Sequence, residues 1–218
     1  MQIDKKLIVV IGDVISSRKV EKRNDLQNKL LEIFENLNTD AYQNHLVSPY
    51  TITLGDDFQA VYQKADRLFL DTIRILETTL PQKVRFSFGV GNISTDINTE
   101  QSIGMDGSAF YYAREGISNL KDQRGNYKFN IYGLDDPELE KLFNNVLYIF
   151  SNLLEGWNKN RYFILRSTME GKAVKDIAKE LKLTETATYM NIYDGSIREM
   201  IAIQETMINQ INKRLSEK

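Results

Sequence analysis

The sequence predicts an α+β fold, in which a ferredoxin-like antiparallel sheet with helices is followed by an all-α module with a helix-turn-helix. Up to residue 132, strand and helix patterns follow the order β-α-β-β-α-β-α-β, with a hairpin between two helical crossovers. After the boundary segment Gly133-Leu134-Asp135-Asp136-Pro137, every pattern is helical. We therefore predict one domain over residues 1–134 and a helical module over residues 135–218.

The elements of the first domain follow from their hydrophobic periods. Continuous or alternating apolar runs predict strands at residues 6–12, 50–54, 58–62, 84–90 and 127–132. Apolar residues spaced three and four positions apart predict helices at residues 24–37, 65–80 and 107–120. Gly55-Asp56-Asp57 separates the second and third strands and predicts the turn of a hairpin.

The composition excludes several classes of chemistry. The 218 residues include no cysteine and a single histidine, His45, which argues against disulfides, thiolate sites, zinc centres and Ser-His-Asp triads. Any bound metal should therefore be a hard cation on oxygen ligands, Mg²⁺ or Mn²⁺. Because there is neither a run of eighteen apolar residues nor a signal-peptide pattern, we expect a cytoplasmic protein without a membrane partner.

Two acidic strand ends form the main candidate site. The apolar run Ile8–Ile11 leads into Gly12-Asp13, and the hairpin turn carries Asp56. If the strands pair side by side, Asp13 and Asp56 project from the same edge of the sheet. Two adjacent carboxylates repel each other unless a divalent cation lies between them, so this pattern predicts a metal site. An ordinary turn and a helix cap are the alternative interpretation.

Four segments, in this order, resemble the nucleotidyl cyclase, or GGDEF-type, palm superfamily. They are Gly12-Asp13, Leu54-Gly55-Asp56-Asp57-Phe58, Arg85–Gly91 and Ala109–Arg114, and together they cover about residues 6–132. The chain as a whole resembles the SatD family, which joins such a domain to a C-terminal helix-turn-helix.

The resemblance implies a site that binds a nucleoside triphosphate or a cyclic nucleotide together with Mg²⁺ or Mn²⁺. The backbone NH groups of a turn and nearby cations would hold the phosphates. The matching residues are Asp13, Val14 (through its carbonyl) and Asp56 for the metal, Ile15, Ser16, Ser17 and Arg18 for the phosphates, and Asp57 and Arg114 as catalytic candidates.

Three positions depart from the pattern of the active enzymes. Leu54 replaces a glycine of GGDEF proteins, and Tyr111 and Glu115 stand where class III cyclases carry Asn and Arg. Three hypotheses therefore remain open. The first is a regulatory DNA-binding protein whose palm domain senses a nucleotide, the second an active cyclase or transferase whose helical module serves for dimerisation, and the third a scaffold with neither activity.

Residues 161–200 resemble a helix-turn-helix, with Ala178 where two helices cross closely and Leu183-Thr184 in the turn. Residues 151–218 carry 11 Lys and Arg against 9 Asp and Glu, and this slight excess of positive charge permits contact with DNA as a partner. The alternative is a helical bundle that packs on the first domain or on a second subunit. The candidate DNA contacts are Lys182, Thr186, Thr188, Tyr189 and Asn191.

The pattern over residues 192–215 predicts one long C-terminal helix with an apolar stripe. Such a stripe is either part of the core or the seam of a homodimer.

Overall fold

The computed structural model describes residues 6–15, 23–39, 45–53, 55, 57–123 and 127–217. These residues form five strands and eight helices, in the order that the sequence predicts. The strands are β1 (Leu7–Val14), β2 (Leu46–Ile52), β3 (Asp57–Tyr62), β4 (Val84–Gly91) and β5 (Phe129–Tyr132). The helices are α1 (Arg23–Leu37), α2 (Leu68–Thr79), α3 (Ser108–Asp122), α4 (Pro137–Glu155), α5 (Lys159–Met169), α6 (Val174–Leu181), α7 (Glu185–Asp194) and α8 (Ile197–Ser216).

The five strands form one sheet in the order β2-β3-β1-β4-β5. The first four strands pair with one another in antiparallel and have the order of a split βαβ unit, which confirms the predicted α+β class. The prediction of a wholly antiparallel sheet is wrong in one respect, because β5 pairs with β4 in parallel. The chain reaches β5 through α3, and a helical crossover of this kind joins parallel strands.

One face of the sheet forms the larger apolar core. Its strand residues alternate in sequence, as in Ile8 and Val10 of β1 and Phe86 and Phe88 of β4. They pack against α1 and α2, and the same cluster continues into α4, α5, α6, α7 and α8 through residues such as Leu147. The division into domains at about residue 134 stays a prediction.

The opposite face of the sheet is covered by α3. Leu7, Val9 and Ile11 of β1 meet Phe110 and Ala113 of α3 in a second apolar cluster. Since Asp13 has the same parity as these residues of β1, its side chain belongs to the face that α3 covers.

A polar chain lies inside the larger core and joins the β2–β3 hairpin to α2. The Tyr50 and Tyr62 hydroxyls are 2.9 Å apart, and the Tyr62 hydroxyl donates to Asp71 Oδ2 at 2.8 Å. Burial raises the pKa of the Asp71 carboxyl to about 6, although Arg67 and the Tyr62 hydroxyl oppose the shift. The hairpin is thus positioned on α2 by hydrogen bonds as well as by apolar contacts.

The C-terminal helices differ from the prediction at one point. The single helix predicted over residues 192–215 is wrong: α7 ends at Asp194 and α8 begins at Ile197. Ser196 has a left-handed backbone conformation with φ 48°, which interrupts the helix between them. Asp136 caps α4, and its side chain accepts from the Leu139 NH at 3.1 Å. None of the helices in the described ranges is long and apolar enough to cross a membrane.

Candidate functional site

Three charged residues lie side by side on the three central strands, near one end of the sheet. Asp13 of β1 pairs in register with Asp57 of β3 on one side and with Arg85 of β4 on the other. Directly paired residues of antiparallel strands project from the same face, which here is the α3 face. Both acids are part of their strands, since β1 extends through Val14 and β3 begins at Asp57. The predicted partner of Asp13, Asp56, lies outside the described residues.

Lys121, near the end of α3, completes this group. Its Nζ lies 2.8 Å from Asp13 Oδ1 and 3.9 Å from Asp57 Oδ1. On the other side, Arg85 Nη1 donates to Asp13 Oδ2 at 3.1 Å. Asp13 is buried and has a cation at each carboxylate oxygen, and the four side chains carry balanced charges. We call Asp13, Asp57, Arg85 and Lys121 the charged edge.

The position of Lys121 follows from a seam of small residues between α3 and β4. A Cβ added at Gly89 would overlap the Ala109 carbonyl oxygen and would lie 2.6 Å from the Ala113 nitrogen. A Cβ added at Gly91 would lie 2.9 Å from the Ala109 nitrogen. Because these glycines have no side chain, the backbone of α3 lies directly on β4, and its last turn reaches the charged edge.

A divalent cation between Asp13 and Asp57 does not fit this arrangement of the described donors. Lys121 Nζ already lies beside both carboxylates, and Arg85 takes the remaining oxygen of Asp13. Two unit cations next to a metal ion would repel it. Among the described residues there is also no group of three or more acids and histidines that could hold a metal ion. The predicted metal site at Asp13, Val14 and Asp56 stays untested, because Asp56 lies outside the described ranges.

The predicted phosphate turn is described at only one residue. The NH of Ile15 donates to the Lys83 carbonyl at 2.8 Å, so the role of this NH as a phosphate donor is corrected to a contact between strand ends. Ser16, Ser17 and Arg18 lie outside the described residues. The side chain of Val14 packs in the larger core.

Arg114, a catalytic candidate, has its described contacts away from the charged edge. Its Nη1 lies 3.7 Å from Asp106 Oδ1, and its guanidinium lies over the Phe110 ring. The Tyr111 hydroxyl donates to Asp106 at 2.7 Å, and this hydrogen bond lowers the pKa of the Asp106 carboxyl. Of the two catalytic candidates, only Asp57 lies in the charged edge.

A chain of contacts leads from the charged edge to the end of α4. Lys83, two residues before Arg85, accepts the Ile15 NH at its carbonyl and pairs with Glu155 through its ammonium. The buried ammonium of Lys128, next to β5, pairs with the same carboxylate and donates to the Ser151 carbonyl at 3.3 Å. Glu155 therefore joins the ends of β4 and β5 to the helix that leads into α5.

The candidate DNA contacts on α6 and α7 fall into two groups. Lys182, Thr186 and Tyr189 are exposed. The proposed DNA contact of Thr188 is corrected, because its side chain is fully buried and its hydroxyl donates to the Thr184 carbonyl at 3.0 Å. Asn191 is half-buried; its amide donates to the Ala187 carbonyl at 2.9 Å and accepts from Arg161 at 3.4 Å.

The turn between α6 and α7 is closed by local contacts. Thr184 caps α7, accepting from the Ala187 NH at 3.1 Å, and Lys182 ends α6 in a left-handed conformation. The exposed cations here, Lys175, Lys179 and Lys182, lie on α6 and the turn. The assignment of α6 and α7 as a DNA-reading helix-turn-helix stays a prediction.

The sequence-based reasoning missed two residues of the charged edge, Arg85 and Lys121. A signal for Arg85 was present, because it alternates with Phe86 and Phe88 and so must face away from the larger core. For Lys121, the helical pattern of α3 gives only the face of the helix. The C-terminal end of α3, on which the contact with Asp13 depends, was predicted two residues too early.

Comparison with known proteins identifies the family of the chain. The family model described as SatD family matches residues 7–212. No curated protein shows significant similarity to the chain.

Two of the solved structures that resemble the chain do so with low sequence identity and low TM-scores. A catalytic core of a rhodopsin-guanylyl cyclase with converted specificity, in complex with ATPαS, is 18% identical with a TM-score of 0.33, over 50% of this chain and 70% of that one. A regulator of polyketide synthase expression from Bifidobacterium adolescentis is 13% identical with a TM-score of 0.28, over 100% of this chain and 84% of that one. At TM-scores this low, neither structure supports an assignment of fold or function to this chain.

Proposed function

The chain belongs to the SatD family, and we propose that it is a ligand-responsive regulatory protein that binds a nucleoside phosphate at the charged edge. The proposal is based on one observation: Arg85 and Lys121 form ion pairs with two carboxylates at one end of the sheet. A guanidinium and an ammonium are the side chains that recognise phosphate, and the carboxylates hold both cations in place before a ligand arrives.

The contacts of the protein support a regulatory role for this site. Lys83 joins the end of β1 to Glu155 at the end of α4. In this proposal the helices after α4 form the part of the protein that responds to the ligand, and their activity is the output. Arg166 of α5 is also held by Glu77 of α2 at 2.7 Å. A ligand that moves Arg85 would act on a strand that is already joined to these helices by hydrogen bonds and ion pairs.

Replacing Arg85 with methionine should abolish stabilisation by nucleotides. With ligand at about 100 times its Kd, the wild-type protein should gain about 2.7 kcal/mol in free energy of unfolding, and Arg85→Met should lose most of this gain because phosphate loses its guanidinium partner. Thermal unfolding with each nucleoside triphosphate and cyclic nucleotide, in Mg²⁺ and in EDTA, measures the effect.

The matched control for this experiment is Lys141→Met, which removes an exposed cation from α4 and should keep the full ligand effect. Arg85→Lys keeps the charge without the planar fork and should fall between the two. Absence of stabilisation of the wild-type protein by every nucleotide would disprove the proposed ligand class.

The output that we propose is DNA binding by α6 and α7. The exposed lysines of α6 and its turn favour it, together with the exposed side chains of Thr186 and Tyr189 at the start of α7. The acidic residues Glu185 and Asp194 on α7 restrict the contact with phosphates to the lysine side of this pair of helices.

Replacing Lys182 with glutamate should weaken DNA binding in a salt-dependent way. One phosphate contact is lost, so the slope of log affinity against log salt concentration should decrease in magnitude by about 1. Mobility shifts with genomic fragments over a range of salt concentrations measure it, and Lys141→Glu is the control of equal charge change. No shift at low salt with any fragment would count against DNA as the partner.

A further inference from the structure

We infer that the ammonium of Lys121 takes the place of a divalent metal ion in the charged edge, so that a phosphate ligand binds there without a metal. The binding of a phosphate ligand rests on the proposed function, whereas the exclusion of a metal by Lys121 does not. The sequence predicts a divalent metal ion at Asp13, whereas the structure has the side chains of Arg85 and Lys121 beside this carboxylate.

The geometry of Lys121 is that of a counter-cation shared by two acids. Its Nζ forms an ion pair with Asp13 at 2.8 Å and lies close to Asp57 at 3.9 Å. Asp13 and Asp57 are direct partners in the β1–β3 register, so the ammonium lies beside both members of a pair of neighbouring acids and offsets their repulsion. A cation in this position removes the electrostatic need for a metal.

The charge balance of the site points the same way. With Arg85 on the far oxygen of Asp13, the charged edge carries two negative and two positive side chains. A divalent ion would enter only by displacing Lys121, whose side chain is 43% exposed and so has room to leave. Metal and Lys121 therefore compete for the same carboxylates, and binding of one excludes the other.

Removing the ammonium should strengthen the binding of a divalent metal ion at the charged edge. Titration calorimetry with Mn²⁺ alone should show that Lys121→Met binds the ion at least about tenfold more tightly than wild-type protein, since a competing charge is gone. Lys121→Gln is a second neutral variant, and Lys121→Arg, which keeps the charge, should stay near wild type. Asp13→Asn in the Lys121→Met background should abolish the gained affinity.

Equal Mn²⁺ affinity of the wild-type, Lys121→Met and Lys121→Gln proteins, whether weak or tight, would overturn the inference. So would a nucleotide effect on wild-type stability that disappears in EDTA. An effect of equal size in EDTA and in Mg²⁺ would support it. A wild-type protein that no nucleotide stabilises disproves the proposed function and, with it, the metal-free binding of this ligand, whereas the Mn²⁺ titration by itself still decides whether Lys121 takes the place of the metal.

Discussion

Replacing Glu155 with alanine should lower the free energy of unfolding by about 3–5 kcal/mol, because the change leaves a buried ammonium without its counter-ion. The side chain of Lys128 is only 4% exposed and has Glu155 as its carboxylate partner. Burial lowers the pKa of Lys128, and the hydrogen bond from Lys128 to Glu155 opposes this shift. Partial burial would raise the pKa of Glu155, but its hydrogen bonds with Lys128 and Lys83 hold it below the usual range.

Two further variants separate this mechanism from a general loss of packing. Lys83→Ala removes the half-exposed partner of Glu155 and should cost less than about 1 kcal/mol. Lys128→Met combined with Glu155→Leu replaces the pair by apolar side chains and should restore stability to near the wild-type value. Urea unfolding of the four proteins provides the comparison. If Glu155→Ala and Lys83→Ala cost the same, Lys128 is not the group that depends on Glu155.

The order of the elements was predictable because each one carries its own hydrophobic period. Ile8 to Ile11 read as a buried strand, and Leu26, Leu30 and Phe34 as one face of a helix, without knowledge of their partners. The parallel addition of β5 and the break at Ser196 were not predictable in this way. The first depends on a pairing between distant segments, and the second on a backbone conformation that serine rarely adopts.

The charged edge shows the same limit at the level of side chains. The acidic pattern indicated that Asp13 faces a second acid, but whether Asp56 or Asp57 is its partner depends on a register difference of one residue. A shift of one position reverses the face of every side chain in the strand. Lys121 is separated from Asp13 by 108 positions and meets it only because α3 lies on β4. Local sequence patterns carry no information about such a contact.

Replacing Gly89 with alanine should therefore disturb both the fold and the site. The new methyl group would overlap the carbonyl oxygen of Ala109 and lie 2.6 Å from the Ala113 nitrogen, and both are backbone atoms of α3 that no side-chain rotation can move aside. Since β4 is held on both sides by β1 and β5, the helix has to shift. We expect a loss of about 1–3 kcal/mol in free energy of unfolding.

The site should respond together with the helix, because Lys121 reaches Asp13 only from the last turn of α3. Gly89→Ala should therefore weaken the nucleotide-dependent stabilisation as well as the fold, under conditions where more than nine tenths of the protein remains folded. Gly156→Ala is the matched control, since a Cβ at that glycine meets no atom within 4 Å, and it should change neither quantity. Urea unfolding with and without ligand measures both. A Gly89→Ala protein as stable as Gly156→Ala would mean that α3 does not depend on this close approach, and that some other contact holds Lys121 beside Asp13.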